Sequence, residues 1–282
     1  MNVFEQVALG WQCLWHARHE LPRAELWGPW VAMLVVQSVV IGALAFAAHP
    51  ALSWWMVPLL RAVTHEDVVR FPELLRRLPG LAAQVAVVLG WVLGSLTAGA
   101  ATRQFADRFA GAGVRSGVAW REALSRWPSL LLVALPVALV GWIVRALPGA
   151  IAGVRMSSIS RRLLPELLSG AELVLVASLL YTTALVMIER CGAFAALREV
   201  PRTWARGFVP ALVVVLLVSL LRMPINRLAL SSALIVDRGV PELAVALALV
   251  QAAVGVLAGF LLTGSATLLY LSALTTREED SW

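Results

Sequence analysis

The sequence predicts an all-α integral membrane protein: six transmembrane helices built as three pseudo-repeated hairpins, with amphipathic helices lying at the membrane interface. Three observations predict it. The 282 residues are 60% hydrophobic and only 14% charged, with a mean hydropathy of +0.82. A soluble domain carries roughly a quarter charged residues. The apolar residues gather into runs near the length that crosses about 30 Å of hydrocarbon as a helix. And a set of signals recurs three times along the chain.

The spans fall at about 27–48, 80–101, 128–147, 171–189, 207–222 and 243–271. Unpaired backbone groups are not tolerated in lipid, so such runs form helices unless they close as a barrel. Barrel strands alternate in hydrophobicity, and the run from Ala211 to Val218 does not. Residues 26–48 are too long for the apolar core of a cleavable signal, and the residues before them carry Glu5, Glu20 and Glu25. The last apolar stretch reaches Leu274 and must tilt or protrude.

Between the spans lie amphipathic pieces. Residues 3–19, 114–127 and 193–206 mix Trp, aliphatic residues and Arg, the composition of a helix in the headgroup layer. The twelve Trp support this. Trp11, Trp15, Trp27, Trp30, Trp120, Trp127 and Trp204 fall near one expected boundary, and Trp54, Trp55 and Trp142 near the other. The Arg residues of these pieces, Arg115, Arg121, Arg126, Arg198, Arg202 and Arg206, are candidate contacts to lipid headgroups.

The repeat is carried by Pro-Glu-Leu at Pro72-Glu73-Leu74, Pro165-Glu166-Leu167 and Pro241-Glu242-Leu243, each just before an even-numbered span. A Pro closes each odd span (Pro50, Pro148, Pro224) and a Trp opens or precedes it (Trp30, Trp127, Trp204). From Trp to that Pro is 20, 21 and 20 residues; from that Pro to the next is 22, 17 and 17. The second and third units also share Arg145 and Arg222 near the end of the odd span. Pro followed by Glu suits the first turn of a helix, so each tripeptide is expected to start one. Chance convergence on a common helix start remains the alternative to ancestry. The units run roughly 1–109, 110–190 and 191–282 within a single polytopic domain.

All 23 basic residues are Arg, and the net charge is +6. The charges are spread over every loop, which argues against a nucleic-acid surface. With an even number of spans both termini share a side, and that side holds twelve Arg against eleven on the other. This near balance decides little. Arg18 and Arg23 close before the first span favour both termini in the cytoplasm.

Chemistry within the spans is sparse. Gln37, Gln84 and Gln251 are the large polar residues, candidates for a polar lining or for hydrogen bonds between helices. No Asp, Glu, His or Arg is expected near a midplane, which lowers the reading of an ion-coupled transporter. Gly90, Gly94 and Gly99, and Gly255, Gly259 and Gly264, form small-residue stripes suited to close helix packing. Cys13 and Cys191 are expected as reduced thiols on one side, with no metal and no cofactor. His16, His19 and Glu20 share a helical face, and a solvated patch is the better reading of them. No motif of a catalytic nucleophile, zinc site or phosphate loop is present, so no catalytic residue and no enzyme activity are expected.

The segment from Ala184 has a distinctive form: a span ending in Glu189, then Gly192-Ala193-Phe194, Ala196-Leu197-Arg198, Trp204 and another span. The run from Trp120 to Trp127 echoes it. This resembles a bacterial group of six-span membrane domains that includes the membrane anchor domain of some glycerophosphodiester phosphodiesterases. The resemblance covers most of the chain in layout and about 15 residues in motif. It implies the bundle, the interfacial helices and a bacterial inner membrane. It implies no activity, because in that group a separate soluble domain performs the hydrolysis. The expected function is a non-enzymatic scaffold or permease-like subunit of a larger membrane complex. Its partners would be lipids together with other membrane subunits or copies of itself. The alternative is a stand-alone transporter or lipid-handling protein with a cavity between the hairpins.

Overall fold

The computed structural model describes residues 2–47, 49–64, 73–150, 158–238 and 242–279. Among them there is no strand. The helices are α1 (Val3–His19), α2 (Gly28–Ala45), α3 (Pro50–Thr64), α4 (Glu73–Leu89), α5 (Ser95–Phe109), α6 (Ser116–Ser125), α7 (Trp127–Ala150), α8 (Ser158–Leu179), α9 (Thr182–Met187), α10 (Ala193–Leu230), α11 (Ser232–Asp237) and α12 (Glu242–Glu279). Six stretches are long and apolar enough to cross a membrane: Gly28–Ala45, Leu74–Phe109, Trp127–Val144, Glu166–Met187, Gly207–Ala229 and Glu242–Leu274. The chain is an all-α polytopic membrane protein.

The spans form a ring in chain order. α2 packs on α4 and α5, these on α7, α7 on α8, α8 on α10, α10 on α12, and α12 returns to α2. α12 also leans across the ring onto α4 and α5. The successive pairs one and two, three and four, and five and six are thus each in contact. Of the units expected from the repeat, Pro72 and Pro241 lie outside the described residues, as do the side chains of Arg145, Pro148 and Pro165.

Small residues set how closely the helices approach. A Cβ on Gly259 of α12 would stand 2.4 Å from the Trp30 ring, so the glycine is the seat for that indole. A Cβ on Gly99 would stand 2.6 Å from a Leu130 methyl, and one on Gly264 would stand 3.1 Å from both Ala17 and Phe105. Phe105 and Phe260 meet edge to face with centroids 5.1 Å apart, and Trp27 stacks on Phe260 at 4.7 Å. These rings fill the end of the bundle nearest the termini. That end is also tied by charge. Glu20 pairs with Arg23 at 2.7 Å and Arg108 at 3.3 Å, while Glu122 takes Arg103 at 3.4 Å and Arg190 at 3.1 Å.

α1 starts with a reciprocal cap, Asn2 accepting from the Glu5 amide at 2.8 Å and Glu5 from the Asn2 amide at 2.9 Å. It buries Gly10, Cys13 and Ala17, spaced to share one face, against α10 and α12. A Cβ on Gly10 would meet the Pro210 carbonyl oxygen at 2.7 Å. Its other face exposes Phe4, Trp11 and Trp15. α5 ends on Gly111 at φ 72°, with Ala112 N–H donating to Asp107 O at 2.8 Å and Gly111 N–H to Arg108 O at 3.1 Å.

Several expectations are corrected. Residues 193–206 do not form a separate helix in the membrane plane, because α10 runs unbroken from Ala193 to Leu230. Its 38 residues extend roughly 57 Å at 1.5 Å each, far beyond the hydrocarbon. Pro201 and Pro210 lie inside it without ending it. The expected interfacial helices near 3–19 and 114–127 do exist as separate helices, α1 and α6. Pro50 starts a helix rather than closing one, and Pro148 and Pro224 lie within α7 and α10. The described parts of α4 and α12 open at Glu73 and Glu242, whereas Glu166 lies well inside α8, which is described from Ser158. Of the Trp expected at the boundaries, Trp30 is buried and Trp27 and Trp127 donate to the Leu21 and Val92 carbonyls at 2.7 and 2.9 Å. Trp11, Trp15, Trp54, Trp55, Trp142 and Trp204 stay exposed.

Gly255 and Gly259 stand one turn apart on α12, yet a Cβ at Gly255 meets nothing within 4 Å. Gly259→Ala should therefore destabilise the bundle by about 1–3 kcal/mol through overpacking. Gly255→Ala should be neutral or stabilising by up to about 1 kcal/mol. Thermal unfolding in a single detergent checks the pair, and equal midpoints would refute the seat assigned to Trp30.

Candidate functional site

The ring encloses a cavity of about 800 Å³, partly open and lined by all six spans. Its origin is compositional. Facing positions carry Ala and Gly, among them Ala86, Ala138, Ala252, Gly90, Gly141 and Gly255. Such residues cannot reach across the centre. The glycine stripes thus divide their work. Gly99, Gly259 and Gly264 take a neighbouring side chain, whereas Gly90 and Gly255 have no neighbour and open onto the cavity.

One wall carries a π-helical turn, Gly90–Gly94, between α4 and α5. Such turns insert a residue and loosen the carbonyl ladder. The Val92 carbonyl here accepts Trp127 Nε1–H at 2.9 Å and Ser95 Oγ–H at 3.2 Å, and Trp91 Nε1–H donates to the Leu131 carbonyl at 2.9 Å. These bonds fasten span two to span three beside the cavity.

The lining is mainly apolar but holds a polar belt. Gln37 (span one), Ser169 and Glu172 (span four), Arg222 and Asn226 (span five) and Gln251 (span six) all line the cavity. Gln251 Nε2–H donates to Asn226 Oδ1 at 3.1 Å, which fixes spans five and six at one level. Ser169 and Glu172, and Arg222 and Asn226, are spaced to share a helix face. By helix rise, Glu172 lies roughly 9 Å inside the start of its span and Arg222 roughly 10 Å inside the end of its own. The belt thus crosses the half of the bundle away from the termini. Gln37 Oε1 and the indole Nε1 of Trp30, which is 6% exposed, are buried without a hydrogen-bond partner. Both residues line the cavity, seven positions apart on one face of α2.

Of the three glutamines singled out by sequence, Gln37 and Gln251 line the cavity and Gln84 does not. Glu172 and Arg222 fall inside the expected spans 171–189 and 207–222, near one end of each, and by helix rise both stand off the midplane. The helices continue past those bounds, which brings Asn226, beyond the expected end at 222, into the lining.

The candidate headgroup arginines divide. Arg115, Arg121, Arg198 and Arg202 are exposed, Arg202 with Glu199 at 2.5 Å. Arg126 is half-buried and donates through Nη1 to the Val186 carbonyl at 3.1 Å, closing the end of span four. The side chain of Arg206 lies outside the described residues. His16 bonds the Gln12 carbonyl at 2.8 Å, and His19 meets Trp15 edge-on. Among the described residues no group of three or more His, Cys, Asp or Glu could hold a metal ion. His65 lies outside them. Tyr270 donates its hydroxyl to Glu189, joining the end of α12 to the loop after span four.

Compared with protein-family models, with curated proteins and with solved structures, the chain matches none.

Cys13 and Cys191 are free thiols. Burial pushes the Cys13 thiol up to about 11. Cys191 is also raised, first by burial and then by Glu189, but it is only half-buried. The thiolate is the reacting form, and a pKa three units above the medium leaves about one thiol in a thousand ionised. In mild detergent at pH 8 one equivalent of a maleimide should therefore label Cys191 first. Cys13 should follow only on unfolding or as the pH rises toward 11. Mass mapping of labelled peptides reads the order, and prior labelling of Cys13 would contradict its burial between α1 and α10.

Proposed function

We propose that this chain is a non-enzymatic membrane protein that binds a small amphiphilic molecule inside its six-helix ring and handles or transports it. The cavity carries this reading. Its volume of about 800 Å³ lies within the range of small-molecule sites, which pair an apolar lining with a few convergent polar groups. Ionisable residues inside spans are costly and mark ligand or ion paths, and Glu172 and Arg222 stand at this lining. A subunit that served only as a scaffold has no use for such a void, which forfeits packing along its whole wall. The favoured reading is thus the transporter or lipid-handling one rather than the scaffold. The setting is a bacterial inner membrane, with both termini in the cytoplasm.

Two experiments test it. Gln37→Leu and Gln251→Leu should each weaken ligand binding about tenfold or more, while Gln84→Leu should leave it unchanged and serve as the internal control. Copurifying small molecules, released from the purified chain and identified by mass spectrometry, provide the readout. Equal retention in all three variants, or loss in Gln84→Leu alone, would remove the cavity from the function. For orientation, an impermeant maleimide should leave Cys191 unlabelled in intact cells and label it after permeabilisation; labelling in intact cells would invert the topology.

A further inference from the structure

We infer that the occupant carries an uncharged, hydroxyl-rich head, a sugar or a glycerol, and that Gln37, Asn226 and Gln251 form the subsite that takes it. The inference rests on the cavity reading above and adds the chemistry of the ligand's head. Register brings the three amides together. The Trp30 ring fills the place that a Cβ on Gly259 would need. Eleven residues further along α2, Ile41 packs in one cluster with Ala248, which lies eleven residues back in α12. The two helices are therefore antiparallel with one offset throughout. That offset sets Gln37 level with Ala252, within a residue of Gln251. Gln251 in turn donates to Asn226 at 3.1 Å. Spans one, six and five are neighbours in the ring, and each brings a carboxamide to one level of the cavity lining.

A carboxamide has no charge, two N–H donors and an accepting oxygen. The bond from Gln251 to Asn226 uses one donor and one oxygen; it leaves the Gln251 oxygen and the Asn226 amino group. Gln37 Oε1 holds no hydrogen-bond partner within the chain. The three side chains thus offer donors and acceptors side by side. A hydroxyl both donates and accepts, so neighbouring hydroxyls match such a set. A phosphate or carboxylate only accepts and leaves the amide oxygens unmet. An ammonium only donates and leaves the amino groups unmet. Each mismatch costs the desolvation of a polar group. Glu172 and Arg222 on the same lining do not enter this count, because each is already engaged within the chain. Beyond the amides, the α12 wall from Ala252 to Ala266 is Ala, Gly, Val and Leu with Thr263, over roughly 21 Å. A wall of that kind suits hydrocarbon, so the head is borne on a chain.

The test is native mass spectrometry of the purified full-length chain in a polyoxyethylene detergent, which carries no sugar. The probes share one chain length: an alkyl glucoside, a monoacylglycerol, a fatty acid, an alkylamine and lysophosphatidylethanolamine, with glucose as a head without a chain. We expect the glucoside and the monoacylglycerol to bind about tenfold tighter than the three charged probes. Gln37→Leu and Gln251→Leu should each remove that preference without weakening the charged probes, and Gln84→Leu, outside the lining, should keep it. Where a leucine variant does not fold, the near-isosteric Gln37→Glu should turn the preference toward the alkylamine. A charged probe preferred by the parent protein, or equal binding of all five, would overturn the inference and leave the cavity reading standing. Head preference unchanged in the folded Gln37 and Gln251 variants, or glucose bound as tightly as its alkyl glycoside, would do the same. If none of the probes binds, the inference falls. If Gly255→Phe, which fills the cavity, also retains the small molecules that copurify with the parent protein, the cavity reading falls with it.

Discussion

The architecture depends on one contact, the seating of the Trp30 indole in the space that Gly259 leaves empty. It joins the first span to the last, beside the stacking of Trp27 on Phe260 and the packing of α12 on α4 and α5. Lipid tails are as apolar as leucine, so no hydrophobic force draws two such helices together; close packing must do so. A glycine opposite a tryptophan supplies the largest ring with the smallest seat. The same logic, with Gly99 under Leu130 and Gly264 under Phe105, fixes the termini end of the ring. Charge then reinforces this end, with Glu122 held between Arg103 and Arg190 and Glu20 between Arg23 and Arg108.

Small residues without a partner do the opposite. Where Gly90 and Gly255 face the centre, the ring cannot close on itself, and a cavity persists. The bundle therefore combines a tightly packed, ion-paired end with a hollow whose lining carries Gln37, Glu172, Arg222, Asn226 and Gln251.

The six spans were legible because apolar runs of that length have one physical explanation in a polytopic chain. Their edges were less so. The expected spans four and five ended short of the helices, which run on from Glu166 and to Ala229; Glu172 and Arg222, near those ends, line the cavity. Proline misled in the same way. Pro224 read as a stop, yet α10 carries it together with Pro201 and Pro210, since tertiary contacts and backbone adjustment absorb a missing amide in a membrane bundle. The distinction between Gln37 and Gln84 was beyond reach of the sequence alone, because it is set by how each helix is rotated in the ring.

The π turn at Gly90–Gly94 has a consequence for how this chain tolerates change in length. In an uninterrupted α-helix, removing one residue swings everything beyond it through about 100°, which would carry Phe105 out of the core and Thr102 off the cavity wall. A π turn already stores one residue in excess. Deleting a residue there returns the segment to ordinary helix while α4 and α5 keep the faces they present. What is forfeited is only the slackened carbonyl of Val92 that Trp127 and Ser95 now share. Span two therefore has a single place where the chain can be shortened without being turned, and it lies beside the hollow that the ring encloses.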